Sequence, residues 1–265
     1  MTIKVKVNPV FTYLQGFLKS LPVTFDEIGE TLKNDRNEIK VIEYENLKLC
    51  IKSFKRVTVF NRFMYSWFRP TKAKRSYKVA CRLEDYGIST PQPVGYIEVY
   101  DKWHILRKAY YVSLYLDYDF DMKDVLDKTI DCQEKILSSF AREMATVVHP
   151  AGAWHNDLSQ GNVLINKLGD DEWRFSFIDL NRMAFRRSIS PIKGIANFKK
   201  LTDNPVALAL IAEQYAIEAD KNPRFYSLML QRNNLHFSVR RFYIKRILGV
   251  FKPRKKKNVR KEVKR

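Results

Sequence analysis

Apolar and polar positions alternate along EIKVIEYENLKLCIKSF: Ile39 and Val41, then Leu47, Leu49 and Ile51, lie on either side of the polar pair Glu45-Asn46. A period of two on both sides of a short polar break predicts two antiparallel strands joined by a tight turn, with Lys52 at the end of the second. The preceding FDEIGETLKNDRNEIK predicts an earlier strand and turn. Gly29 is its only glycine, so there is no G-x-G-x-x-G phosphate loop, and a single-glycine hairpin is left to cover a phosphate with backbone amides.

Beyond Pro70 the period lengthens. Tyr77, Ala80, Cys81 and Leu83 recur at three- and four-residue spacing, which predicts an amphipathic helix starting near Pro70 and stopped by Gly87. Pro91 and Pro93 make the connection extended before a strand around Val94 to Val99, and AYYVSLYL predicts another. After Leu116 the acidic DYDFDMKDVLDK reads as turn. CQEKILSSFAREMATVVHPAG then places Ile136, Leu137, Phe140, Met144, Val147 and Val148 on one helical face. NVLIN and RFSFIDL predict two short strands around the turn KLGDDEW, and helical periodicity dominates from Pro205 to Leu248. The order predicts an α+β chain: a β-rich N-terminal lobe over 1–116, a mainly helical lobe over 117–251, and a basic tail over 252–265.

Composition changes this picture in two places. The 265 residues carry 48 Lys+Arg against 29 Asp+Glu, a formal charge of +19. Nine basic residues and one acid sit in the tail, so the remainder is still +11; such a surface attracts phosphates of a lipid, a nucleic acid or a soluble anion. The three cysteines, Cys50, Cys81 and Cys132, are far apart and lack a C-x-x-C spacing. They are expected to be small buried hydrophobes rather than disulfide or zinc ligands. The first residues show no signal-peptide pattern and no uncharged run approaches a bilayer span, so a cytoplasmic, reducing setting is expected.

WHNDLSQGNVLI holds the residues suited to chemistry. Asp157 and Asn162 lie in the loop after the long helix, and Asp179 ends the strand that pairs with Val163 to Ile165, so one small hairpin gathers all three at one end. Hard oxygen donors there suit Mg²⁺, which uses few protein ligands, and a further carboxylate can orient a hydroxyl and accept its proton. Each is by itself an ordinary turn residue; their joint order and spacing carry the argument. His155 reads as a brace for the loop, while Ser159 and Cys132 lack a partner base.

This spacing resembles the protein-kinase-like pattern H-x-D-x-x-x-x-N followed by a strand-ending Asp, and LCIK resembles the strand whose lysine contacts nucleotide phosphates. Together with AKRSY, YGISTPQPVGYIE, HNDLSQGNVLI and FSFIDLNR, it resembles the Kdo kinase and heptose kinase (InaA/WaaP-like) family of lipopolysaccharide kinases over about Lys52 to Arg182. The resemblance implies a two-lobed protein-kinase-like fold. It further implies transfer of the ATP γ-phosphoryl group to a Kdo or heptose hydroxyl of the lipopolysaccharide inner core. Asp157 would be the catalytic base, Asn162 and Asp179 the Mg²⁺ ligands, and Lys52 the ATP-phosphate ligand. Ser76 stands where the family has the glutamate that pairs with this lysine, so either another acid positions Lys52 or the lysine is anchored more weakly. A protein or small-molecule acceptor, or a pseudokinase binding module, are the alternatives.

FYIKRILGVFKPRKKKNVRKEVKR joins an aromatic amphipathic segment to the tail. It is expected either to be a solvated terminus or to lie on an anionic membrane, peripheral on the cytoplasmic face of the inner membrane and close to a lipid-linked core precursor. No nucleic-acid-binding module accompanies the charge.

Overall fold

The computed structural model describes residues 1–34, 37–54, 69–127 and 130–250. The basic tail, 252–265, lies outside the described residues. Six antiparallel strands form one sheet in the order β1-β5-β6-β4-β3-β2: β1 (Thr2–Val7), β2 (Glu30–Asn34), β3 (Glu38–Tyr44), β4 (Leu47–Ser53), β5 (Pro93–Tyr100) and β6 (Leu106–Leu114). The β3–β4 hairpin turns at Glu45 and Asn46, both with positive φ (47° and 62°), the conformation a two-residue hairpin loop needs. Its register sets Ile39 opposite Lys52, and β6 sets Tyr111 beside Lys52 on the other flank.

The sheet is covered on both faces. Helix α1 (Gln15–Thr24) lays Leu18 and Leu21 on Leu49, Ile51, Ile97, Val99, Tyr110 and Val112. The alternate residues Tyr100, Ala109 and Tyr111 face α2 (Lys72–Asp85) with its Ala73, Tyr77, Ala80 and Leu83. Double coverage explains why β5 and β6 are apolar nearly throughout instead of alternating with polar positions. Thr71 caps α2 by accepting from the Lys74 N–H at 3.1 Å, and Gly87, at φ 68°, ends it as expected. Gly29 differs from expectation. It lies before β2 at φ 77°, packed so closely on Val41 and Ile42 that a Cβ would collide with both. It is therefore a packing residue and not part of the β2–β3 turn, whose residues 35 and 36 lie outside the described ones.

The remainder is mainly helical. A capped helix α3 (Met122–Leu126) follows the two-residue strand β7 (Phe120–Asp121), where turn alone was expected. The Asp121 and Asp124 side chains cap each other's backbone N–H groups, which is why an acidic stretch is helical here. Helix α4 (Gln133–Glu143) continues into one π turn at Met144–Val148. Cys132, at φ 64° before α4, is exposed; this corrects the expectation of burial, which Cys50 and Cys81 meet only in part. Phe140 of α4 packs on Phe175 and Phe177 of β10 (Trp173–Phe177), with ring centroids 5.1 and 6.3 Å apart. Strand β9 (Val163–Lys167) pairs with β10, Phe177 opposite Val163. Two long helices, α6 (Pro205–Glu218) after the short α5 (Pro191–Gly194), and α7 (Pro223–Val250), complete the described residues. Among the described residues, no helix is long and apolar enough to cross a membrane.

Candidate active site

Strand β8 (Ala153–His155) pairs with β11 (Met183–Phe185), setting His155 opposite Met183. The loop between β8 and β9 is tied from inside. The Asp157 N–H donates to His155 Nδ1 at 3.1 Å, and His155 Nε2 lies 3.0 Å from the Ile178 carbonyl. With Nδ1 accepting, Nε2 carries the proton, so the buried ring joins the loop to the end of β10. Burial holds its pKa below the ordinary imidazole value, which suits a neutral brace. Asn162 Nδ2 donates to the Asp157 carbonyl at 2.8 Å, and the Ile178 N–H donates to the Asn162 carbonyl at 3.1 Å.

A second layer holds the loop from below. Asn197 Nδ2 donates to the His155 carbonyl at 2.7 Å, while its Oδ1 faces His149 Nε2 at 3.3 Å. Tyr215 Oη sits 2.7 Å from His149 Nδ1. Burial pushes the His149 pKa down to about 4, so a neutral ring completes this chain of bonds.

Asp179 follows β10 in a left-handed conformation (φ 57°, ψ 43°), rare for a residue with a side chain. Its carboxylate meets Lys52 Nζ at 2.6 Å and accepts from Asn181 Nδ2 at 2.6 Å. Burial acts to raise its pKa, but the Lys52 charge and hydrogen bond, with Arg182, more than offset this and hold it below the usual carboxylate value. The acid that meets Lys52 is therefore Asp179, with Ser76 buried within α2.

All four sequence-derived residues converge. Lys52 reaches Asp179 directly, Asn162 is bonded to both the Asp157 backbone and Ile178, and Asp179 follows in the next position. Sequence reasoning missed two cations. Lys200 Nζ lies 3.1 Å from Asp157 Oδ1 and 2.8 Å from the Asn156 carbonyl, and Arg182 Nη1 lies 3.1 Å from Asp157 Oδ2. Arg182 also approaches Asp179 at 4.0 Å. Arg182 belonged to the FSFIDLNR segment and was within reach of a motif argument; Lys200, forty-three residues from Asp157, is brought there only by tertiary folding.

The donor set fits a hard divalent cation. Asp179 is ionised, and the Asn162 carboxamide turns its nitrogen to the loop, which leaves its oxygen on the other side. Two such oxygens match the few protein ligands Mg²⁺ takes. Among the described residues, no cluster of three or more His, Cys, Asp or Glu forms a candidate metal cage.

Residues 39–215 match the profile of the family described as "Lipopolysaccharide kinase (Kdo/WaaP) family". The chain belongs to this family. As a Kdo/WaaP-family member it is a kinase-type phosphotransferase directed at lipopolysaccharide. It is similar in fold to a solved structure described as "WaaP in complex with acyl carrier protein", at 15% identity over 88% of this chain and 98% of that one, with a TM-score of 0.60. Weaker likenesses, both with a TM-score of 0.40, are to the MAP kinase LmaMPK10 from Leishmania major (15% identity, 76% of this chain and 60% of that one) and to WbdD in a co-crystal with a kinase inhibitor (16% identity, 76% and 44%). No curated protein matches the chain. The likeness at a TM-score of 0.60, with the sheet followed by a mainly helical part, bears out the kinase-like fold expected of a Kdo/WaaP kinase.

Proposed function

We propose that this Kdo/WaaP-family kinase transfers the γ-phosphoryl group of ATP to a Kdo or heptose hydroxyl of the lipopolysaccharide inner core. The observation that carries the reading is the bonded set Asp157, Asn162 and Asp179 with Lys52 on Asp179 at 2.6 Å. Asp157 orients the acceptor hydroxyl and takes its proton at a carboxylate oxygen, while Lys200 and Arg182 hold that carboxylate in place. Asn162 and Asp179 would hold Mg²⁺, and Lys52 would hold the nucleotide phosphates. Bound Mg²⁺ would neutralise charge on the transferring group; the chain itself contributes position and fixed charge, the main sources of catalysis in phosphoryl transfer. A division at 116/117 into a nucleotide-binding lobe and a catalytic lobe would put Lys52 in the first and Asp157, Asn162 and Asp179 in the second, a reading that the Lys52–Asp179 contact supports.

Asp157→Asn is expected to lower transfer to purified core lipopolysaccharide by about 10²–10⁴-fold, the range for losing a general base, with ATP affinity unchanged by calorimetry. Active wild-type protein whose Asp157→Asn variant keeps full turnover would exclude this mechanism. Wild-type protein that binds ATP but transfers nothing would point instead to a pseudokinase binding module.

The membrane setting has its own support. Past Phe237, α7 exposes Val239, Phe242, Tyr243, Ile244 and Ile247 beside Arg240, Arg241, Lys245 and Arg246, and no acid occurs between Asp220 and Glu262. An apolar and basic helix end suits the anionic inner leaflet, at about 1 kcal/mol per basic residue near the surface. Salt-sensitive binding to phosphatidylglycerol vesicles is expected. Binding that survives removal of Lys252 to Arg265 would show that the tail is not the anchor.

A further inference from the structure

Both carboxylates of the site already face a cation. Asp179 meets Lys52, and Asp157 meets Arg182 and Lys200. Lys72, the first residue of α2, is left over. It is half-buried, and no described carboxylate lies within salt-bridge distance of it. Its Nζ lies 5.9 Å from the centre of the Phe54 ring, and Lys52 Nζ lies 5.7 Å from the centre of the same ring. Both ammonium groups thus lie against the same aromatic ring. Burial first, then the positive charges of Arg75, Arg182 and Lys52, lower the Lys72 pKa against the opposing pull of Asp179. Arg75, three residues on and so on the same helical face, has a buried Nε without a hydrogen-bond partner among the described residues. Where an acid on α2 would have neutralised Lys52, this helix instead brings further positive charge and buried Ser76.

A partly desolvated cation with no described acid beside it is costly unless an anion arrives to match it. We propose that Lys72 is a phosphate-binding residue that grips the phosphate chain of the nucleotide alongside Lys52, with Arg75 adding to the field. The inference rests on the kinase reading above and adds a ligand that reading does not include. Placement beside Lys52, and not beside Asp157 where the acceptor hydroxyl is expected, favours the nucleotide over a phosphate of the acceptor.

The test is calorimetric binding of ATP and of adenosine to the full chain and to Lys72→Ala and Lys72→Arg, with thermal melts to confirm folding. Lys72→Ala is expected to weaken ATP binding by about tenfold or more, the scale of a charge-assisted hydrogen bond. Adenosine binding should stay unchanged, and Lys72→Arg should keep most of the ATP affinity. Inorganic tripolyphosphate should compete with ATP on the wild type and less well on Lys72→Ala. Unchanged ATP binding by Lys72→Ala overturns this inference alone. An equal loss for ATP and adenosine marks a structural role and also overturns it. A loss confined to the KM of the lipopolysaccharide acceptor moves the anion off the nucleotide and does the same. Wild-type protein that binds no ATP overturns the kinase reading, and this inference with it.

Discussion

Lys40 is fully and Lys72 partly withdrawn from water, and the protein treats them differently. Lys40, on β3, is buried, and its Nζ donates to the carbonyls of Phe25, Asp26 and Ile28 at 2.8, 3.2 and 3.1 Å. Three fixed acceptors spend all three donors of the group and clamp the chain that leaves α1 onto the sheet. Lys72 has an aromatic ring beside it and cations around it. A buried charge with its partners built in is structural; one whose neighbours repel it marks a place where a partner of opposite charge belongs. The two lysines lie in the same sheet-and-helix lobe, so the difference reflects the job and not the general environment.

The largest effect should come from breaking the satisfied side. Lys40→Met leaves three carbonyls without a donor and is expected to cost about 3 kcal/mol, read as a lower urea midpoint at unchanged slope. The folded fraction should keep its ATP affinity. If Lys40→Met were as stable as wild type, the clamp would contribute nothing and the contrast with Lys72 would lose its meaning. On the cleft side, Lys200→Ala releases one oxygen of Asp157 but leaves Arg182 on the other. Transfer should fall through kcat by about tenfold to a hundredfold, the cost of a misplaced reacting group, with ATP binding and melting temperature little changed. A fall in KM-controlled binding instead of kcat would remove Lys200 from the positioning of Asp157.

How much of this was legible in the chain follows from the range of the forces involved. The β3–β4 hairpin was readable because the alternation and the Glu45-Asn46 turn are local. The loop residues Asp157 and Asn162, and Asp179 beyond them, were readable because one hairpin fixes their mutual placement from sequence order alone. Helix α1 was not: QGFLKSLPVT carries Gly16 and Pro22, both poor helix formers, and the helix exists because Leu18 and Leu21 are buried against the sheet. Ser76 showed that Lys52 lacked its usual acid, but only folding shows Asp179 in that place. Lys200 and Lys72 have no spacing to announce them, since each meets its neighbours across a tertiary gap.

Glu143 is the acidic counterpart of Lys72 and gives the smallest test. It is half-buried near the end of α4, and burial alone raises its pKa from the ordinary 4.5 to about 7. Because the folded value lies above the unfolded one, the folded state binds more protons between these limits. The stability this supplies is fully present below pH 4.5 and is lost as pH rises through about 7. Glu143→Gln keeps the shape of the protonated acid without the charge. It should match wild type near pH 4.5 and exceed it above pH 7 by about 1 kcal/mol, an amount reduced from the full linkage value for partial exposure. The measurement is urea unfolding of both proteins across this range. A gap that does not widen with pH would mean that Glu143 already has its counter-charge, and that lack of a partner, in this fold, does not by itself distinguish groups such as Lys72.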